Sequence, residues 1–384
     1  MIRKIDLIMP PRSLYGVLHD FTFCMSKALE RIGIQTRILS IDKEKPNLFL
    51  ADLYKNPPDC TLSFNGLLPD KNGHFLSDVS GIPHIACIVD AFHRFGQLIH
   101  STNTIITSGD QFDQQMFLNA NFKKALFMPH AADSDSLKPV TNAKKDYEFD
   151  ILCIGSFTLD ILKKEWQKDY PEEISKTFDQ AAETILSDKP VSSLQALLDS
   201  INQTGNLAAL ESYNFYRMLD QLERYINTTC LFDLIQELKN LKIHFVGRGS
   251  EIYWEAFGKP ANMTYQKEVT FPVARELMAK SKAIVHAVPS IRYGGHERIF
   301  EGISAGALLL SNPNAFLREN FQNGESILFY DWNNLNGFSD LVSEMLENDS
   351  RRLSIVKNGQ QIVKDKHTWD QRAAKLLSDV ENFL

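Results

Sequence analysis

Short apolar runs that each end on a glycine or a polar turn recur along this chain, with a helical stretch between one and the next. In the first third they cover Lys4 to Met9, Ile34 to Ile41, Cys60 to Phe64, His84 to Val89, Thr104 to Thr107 and Ala125 to Met128. The segment from Gly16 to Ile32 places Phe21, Met25, Ala28, Leu29 and Ile32 at helical spacing, with Gly33 as its stop. Phe75 to Val79 and Gln111 to Asn119 read as further helices. Parallel strands need a long crossover, usually a helix, so strict strand–helix alternation predicts a parallel sheet with helices on both faces. The first third is therefore expected to be a Rossmann-like α/β domain, residues 1–138, ending in the polar stretch Asp133 to Lys145.

A second series opens at Phe149 to Ser156, but its next strand, Lys242 to Gly249, arrives late. Residues 158–240 are rich in Leu, Lys, Glu and Gln and read as a helical insertion, broken near Pro190 and at Gln203 to Asn206. The alternation then resumes with helix Pro272 to Ala279 and strands Ala283 to Val288, Leu308 to Ser311 and Ile327 to Tyr330. A second Rossmann-like domain is expected over 146–366, with 367–384 as a terminal helix crossing back to the first.

Within that series, Gly294-Gly295-His296-Glu297-Arg298-Ile299-Phe300-Glu301-Gly302-Ile303-Ser304-Ala305-Gly306 reads as glycine turn, short helix and glycine stop between two strands. Glycines let a backbone approach a ligand closely, and a helix amino end presents free N–H groups and a partial positive charge. Arg298 adds a full charge suited to phosphate. Glu301, one turn on, is placed to accept hydrogen bonds from sugar or ribose hydroxyls. Such a set describes a nucleotide-diphosphate-sugar site. The same residues also describe an ordinary turn followed by a surface ion pair at i,i+3. Because Glu301 sits on a cleft helix rather than in the core, its replacement by alanine is expected to spare the fold.

This segment resembles the donor-site motif of GT-B glycosyltransferases, in the branch of the spore-maturation-protein-like (CgeB-like) enzymes, on the core Arg298-Ile299-Phe300-Glu301. Phe127 to Asp133, Asp150 to Ser156 and His367-Thr368-Trp369-Asp370-Gln371-Arg372 resemble other landmarks of that family, so the likeness covers most of the chain. It implies two Rossmann-like domains facing across a cleft, a nucleotide sugar on the second and an acceptor on the first. Glu301 matches the second of two glutamates in the wider retaining family; the first position is Tyr293, and that role is not carried over.

The donor-binding candidates are Gly155, Ser156, Gly247, Arg248, Gly294, Gly295, His296, Arg298 and Glu301, mostly at strand ends where open α/β sheets bind ligands. Gly247-x-Gly249 lacks the rest of a dinucleotide fingerprint. The catalytic candidates are Asp90 and His93, a carboxylate and an imidazole following a buried strand, and Glu297, on one helical face with Glu301. His19, Asn65 and His130 are the acceptor-side candidates. Asp133-Ser134-Asp135 has a metal-binding spacing but falls at the domain boundary, where Asp and Ser also favour turns and caps. No metal and no cofactor beyond the co-substrate, most simply a UDP-sugar, is expected.

Composition narrows the rest. The 384 residues are 43% hydrophobic and 23% charged, with a net charge of −7, which lacks the basic excess of a nucleic-acid binder. No apolar run approaches the roughly 20 residues that span a bilayer, though peripheral membrane contact is compatible with the sequence. The N-terminal apolar run is too short for a signal peptide, and the five scattered cysteines read as buried hydrophobes. A cytoplasmic glycosyltransferase follows, acting on an unidentified acceptor. The alternatives are an epimerase or hydrolase on the same fold, or a non-catalytic protein whose insertion docks a partner.

Overall fold

The computed structural model describes residues 2–41, 46–138, 147–187, 191–207 and 211–384. Most of the expected linker, residues 139–145, and Pro190 lie outside them. The chain forms two compact units: Met1–Leu137 with Gly294–Phe300 and Val363–Leu384, and Lys138–Tyr293 with Glu301–Ile362.

The first unit is built on six parallel strands: β1 (Lys4–Met9), β2 (Gln35–Ser40), β3 (Cys60–Phe64), β4 (His84–Ile88), β5 (Thr104–Ser108) and β6 (Ala125–Phe127). Their order is β2-β1-β3-β4-β5-β6, so the winding reverses between β1 and β3. Strands β3, β4 and β5 are buried at every position, as expected of parallel strands covered on both faces. Helix α1 (Val17–Arg31) buries Phe21, Cys24, Met25, Ala28 and Leu29, and Ser13 Oγ accepts the Leu18 N–H near its start. It is followed by α2 (Pro46–Lys55), α3 (Leu76–Ser80) and α4 (Gln111–Asn119).

The second unit has its own six parallel strands: β7 (Phe149–Ile154), β8 (Ile243–Val246), β9 (Met263–Gln266), β10 (Ser281–His286), β11 (Leu308–Ser311) and β12 (Leu328–Phe329). Their order is β12-β11-β10-β7-β8-β9, the doubly wound arrangement whose reversal lies between β7 and β10. Between β7 and β8 the insertion is helical as expected: α5 (Trp166–Asp169), α6 (Glu172–Leu186), α7 (Ser193–Thr204) and α8 (Phe215–Leu238). It packs its own core, with Trp166 stacked on Phe178 at 5.1 Å. Gly205, at φ 71°, ends α7 in the left-handed conformation at one of the expected breaks.

Later helices are α9 (Ser250–Ala256), α10 (Phe271–Ala279), α11 (Glu297–Ser304), α12 (Ala315–Asn320), α13 (Phe338–Glu347), α14 (Asp349–Lys366) and α15 (Trp369–Val380). Gly306, at φ 88°, provides the expected stop after α11. Gly302 lets α11 lie tight on the sheet, since a Cβ there would stand 3.0 Å from Ile284 Cδ1. In the first unit, Trp369 of α15 packs on Phe21 and Phe64 at 5.0 and 5.4 Å.

Four helices and strands escaped the sequence reading: α2, α9, α12 and β9. The last is a four-residue edge strand with one buried position, too short and too polar for an alternation signal. The fold class is as expected, two Rossmann-like parallel sheets, although the first winds in the order 2-1-3-4-5-6 rather than 3-2-1-4-5-6.

Candidate active site

In the first unit the carboxyl ends of the strands carry most of the acceptor-side and catalytic candidates. Asn65 follows β3 in the left-handed region, at φ 62°. Its Nδ2 donates to Asp90 Oδ2 at 2.7 Å, while its Oδ1 accepts the N–H groups of Val89 and Asp90. Asn65 thus fastens the turn after β4, and the Asp90 carboxylate is engaged by it. The next residue, Gly66, must be glycine. A Cβ there would lie 2.8 Å from Ala86 Cβ, and its φ is 66°. His93 does not stand at the surface: it is 3% exposed, in the 3-10 segment Phe92–His100. His19, in the first turn of α1, donates from Nε2 to the Pro10 carbonyl at 2.9 Å and so closes the loop after β1.

The structure does assemble one cluster that the sequence could not. His130, 7% exposed, packs beside Gly109, where a Cβ would come within 3.3 Å of the imidazole. Its Nε2 meets the Val89 carbonyl at 3.2 Å and its Nδ1 meets Glu297 Oε2 at 2.9 Å. A carbonyl and a carboxylate are both acceptors, so only the doubly protonated imidazole donates to each. The neutral ring would instead accept the Glu297 N–H, which lies 3.1 Å from Nδ1. His296 Nδ1 also stands 2.9 Å from the same Oε2, and 3.2 Å from the Arg298 N–H.

Burial acts to raise the Glu297 carboxyl, but the His296 and His130 imidazoles outweigh it and hold the group well below the usual carboxylate range. Burial pushes His296 down, Arg298 and His130 add to that, and Glu297 opposes it. Two candidates from distant parts of the sequence, His130 and Glu297, therefore act as one unit.

The terminal motif supports this cluster. Arg372 donates from Nε to the Pro129 carbonyl at 2.9 Å and from Nη2 to the His130 carbonyl at 3.0 Å, and burial lowers its guanidinium to about 10. The Asp133-Ser134-Asp135 segment is a 3-10 turn. The Asp133 side chain accepts the Asp135 N–H, and Asp135 pairs with Arg31 at 2.7 Å.

In the second unit the glycines after β7 and β8 serve each other before any ligand. Gly247 has φ 139°, and a Cβ there would sit 1.8 Å from the Gly155 carbonyl oxygen; one on Gly249 would sit 2.2 Å from the Phe157 carbonyl oxygen. The loops are stitched by Gly155 N–H to Val246 O and Phe157 N–H to Arg248 O. Gly247 is thus explained by backbone packing. At Gly155, by contrast, nothing lies within 4 Å of a built Cβ. Ser156 and Arg248 are exposed at the same sheet edge, and the Arg248 side chain forms no hydrogen bond or ion pair among the described residues.

Gly294 and Gly295 are buried, and Gly294 forms an antiparallel bridge with Asp110 in the first unit. Arg298 is half-buried, and its guanidinium also forms no hydrogen bond or ion pair among the described residues. Glu301 is 1% exposed, with Oε2 and Oε1 taken side-on by Nε and Nη2 of Arg275 at 3.0 and 2.9 Å. Arg275 lies over the Phe271 ring at 4.6 Å. Nothing near Arg275 in the sequence marks it, because its partner lies 26 residues away on another helix. Tyr293, at the position of the family's first glutamate, donates to Glu319 Oε2 at 2.6 Å, which raises its own phenol.

Residues 230–378, which include α11, match the family model described as glycosyl transferase-like. No curated protein matches the chain in sequence. Its fold is shared with solved structures that it resembles over nearly their whole length. A glycosyltransferase from Rickettsia africae has 13% identity and a TM-score of 0.59, covering 100% of this chain and 99% of that one. Sucrose-phosphate synthase from Thermosynechococcus elongatus has 11% identity and a TM-score of 0.56, covering 99% of each. Anabaena HepE, solved with UDP and glucose, has 9% identity and a TM-score of 0.55, covering 99% of this chain and 100% of that one. At these identities the likeness is one of architecture: the two Rossmann-like sheets of this chain are those of the GT-B plan.

Proposed function

We propose that this protein is a retaining, metal-independent glycosyltransferase that moves a hexosyl group from a nucleotide-diphosphate donor to an acceptor. The observation that carries the reading is the amino end of α11. Buried glycines precede it, and Arg298 in its first turn has a guanidinium with no partner among the described residues. The N–H groups of Glu297, Arg298 and Ile299 are already taken by His130 Nδ1, His296 Nδ1 and the His296 carbonyl, contrary to the free amino end expected, so it is the Arg298 guanidinium that suits a diphosphate, the leaving group whose negative charge grows as the anomeric C–O bond breaks and the bond to the acceptor oxygen forms. Arg298 supplies the charge that a divalent ion supplies elsewhere. Glu301, one turn on, is the candidate for the ribose hydroxyls, and Gly155, Ser156 and Arg248 are the further donor-binding candidates of the second unit. The match of residues 230–378 to a glycosyl transferase-like family supports this reading. HepE's complex with UDP makes UDP the first donor nucleotide to try. None of the five cysteines forms a disulfide, which fits a cytoplasmic enzyme.

A thermal-shift series with UDP, GDP, ADP, CDP and dTDP tests it. A ligand at a hundredfold excess over Kd adds about 2.7 kcal/mol, which raises the melting temperature by a few degrees. One nucleotide is expected to do so with chelator present. Arg298→Ala should weaken that diphosphate about tenfold or more while leaving the bare nucleoside unaffected, since hydrogen bonds to charged groups contribute about 1.5–3 kcal/mol. A flat response to all five at millimolar concentration sinks the reading, and strict dependence on a divalent ion sinks its metal-independence.

A further inference from the structure

One cavity of the second unit has no part in the donor reading. It has a volume of about 220 Å3 and lies where β11 and β12 end, against α12. The glycine loops of this unit follow β7 and β8. The sheet order therefore sets three strand spacings, roughly 14 Å, between the middle of one pair and the middle of the other.

The walls of the cavity are fixed by bonds within the unit. Tyr330, 3% exposed, donates from its hydroxyl to the His286 carbonyl at 2.9 Å, and Trp332 Nε1 donates to the Leu186 carbonyl at 3.1 Å. Asn323 Oδ1 accepts the Phe329 N–H at 2.8 Å, and Asp331 Oδ1 accepts the Asn333 N–H at 2.9 Å. What these bonds leave over is informative. Among the described residues, Asn323 Nδ2 and Asp331 Oδ2 have no hydrogen bond, and the Arg318 guanidinium has neither hydrogen bond nor ion pair. Arg318 and Asp331 line the same cavity without pairing, so it offers a cationic donor, an amide donor and a carboxylate acceptor beside the Phe329 and Trp332 rings.

That mixture selects by charge. An anion is opposed by Asp331 and a cation by Arg318. A neutral ligand whose groups both donate and accept meets neither penalty, and hydroxyls are such groups. A sugar ring carries several of them around C–H faces that suit aromatic walls. The cavity is smaller than the roughly 300 Å3 at which sites for drug-sized ligands begin, so it suits a single ring. A zwitterion would also balance both charges, but the match of residues 230–378 to a glycosyl transferase-like family favours the sugar.

We propose that this cavity is a subsite for one neutral sugar residue, separate from the nucleotide. Arg318 and Asp331 take its hydroxyls, and its C–H face lies against Phe329 and Trp332. The subsite uses neither Arg298 nor Glu301, so it stands or falls apart from the donor reading.

The test is saturation-transfer NMR of the full chain with the methyl glycosides of glucose, galactose, mannose and N-acetylglucosamine at millimolar concentration, without nucleotide. At least one is expected to bind. Arg318→Ala and Asp331→Ala should each weaken it about tenfold, since each removes a charged hydrogen-bond partner. Both residues are exposed, so the melting temperatures of the variants should hardly move. Excess UDP should leave glycoside binding unchanged, as should Arg298→Ala. No binding of any glycoside, binding that neither variant weakens, or binding of free glycine or phenylalanine in place of the glycosides overturns the subsite and leaves the donor site standing. Displacement of the glycoside by UDP overturns its separation from the nucleotide. Glycoside binding in a protein that ignores all five nucleoside diphosphates supports the subsite and sinks the donor site alone.

Discussion

The two sheets end in very different ways. At the carboxyl edge of the first, polar side chains satisfy one another: Asn65 holds Asp90, and Glu297 lies between His130 and His296. At the edge of the second, backbone presses on backbone at Gly247 and Gly155, and Arg248 is left without a partner among the described residues. Helix α11 repeats the contrast within two turns. Its first carboxylate, Glu297, is balanced by imidazoles that can give up a proton; its second, Glu301, is balanced by a guanidinium that cannot. The lesson is that charges balanced by different partners differ in what they tolerate. A proton-adjustable partner can neutralise itself when the charge opposite is removed, whereas a permanent cation remains charged and buried.

The sharpest way to break this comparison is at the glycines. Gly247→Ala puts a Cβ at 1.8 Å from a carbonyl oxygen at φ 139°, and is expected to cost at least about 3 kcal/mol in a denaturant titration. Gly155→Ala, with nothing within 4 Å, should stay within about 0.5 kcal/mol of the parent. Equal stabilities for the two variants would show that the loops do not pack as described.

The carboxylates of α11 come next. Glu301→Ala removes a carboxylate that is 1% exposed and both of its side-on bonds to Arg275, which is expected to cost about 3 kcal/mol. Reading Glu301 as a surface cleft residue suggested that the fold would not notice; its 1% exposure overturns that expectation. Glu297→Ala should cost less, about 1–2 kcal/mol, because the backbone N–H of residue 297 keeps His130 Nδ1 as its partner at 3.1 Å. A larger loss at 297 than at 301 would reverse the argument.

An effect of similar size concerns acid. His84 lies fully buried between the hydroxyls of Thr61 and Ser63, and burial pushes its imidazole down to about 3. His367 is lowered to about 3 as well, by burial and then by the charges of Arg372 and Lys366. Above the ordinary value of 6.5 both are neutral whether the chain is folded or not, and their contribution is complete. As pH falls below 6.5 the unfolded chain binds protons that the folded chain refuses, so stability drops until about pH 3. Each group contributes about 1.4 kcal/mol per pH unit, or about 2 kcal/mol between pH 6.5 and 5. His84→Gln, which keeps hydrogen-bonding atoms but does not titrate, should flatten the acid side of the stability profile by about one such share. An unchanged slope would mean that the imidazole is protonated in place.

Much of this was legible in the sequence because it is written locally. Strands β3 and β11 and helix α4 fall at their expected bounds, since continuous apolar runs and 3.6-residue spacing are short-range signals. The glycine stops at Gly33, Gly205 and Gly306 were equally plain, each with φ near 70–90°. The edge strand β9 was not, because an edge strand takes its identity from the neighbour it pairs with rather than from its own burial. Among the candidates, the sequence could name His130 and Glu297 but not join them across 167 residues.

What the sequence by itself determined is the alternation of strand and helix, the helical insertion and the glycine-flanked helix with Arg298 and Glu301, all functions of neighbouring residues. What only the tertiary structure decided is who partners whom. Arg275 holds Glu301, two imidazoles hold Glu297, and Gly247 gives way to a carbonyl rather than to a ligand. The physical reason is that propensity and periodicity act over a few residues. Burial and charge compensation act instead through space, between side chains that the sheets bring within 3 Å of each other from distant points on the chain.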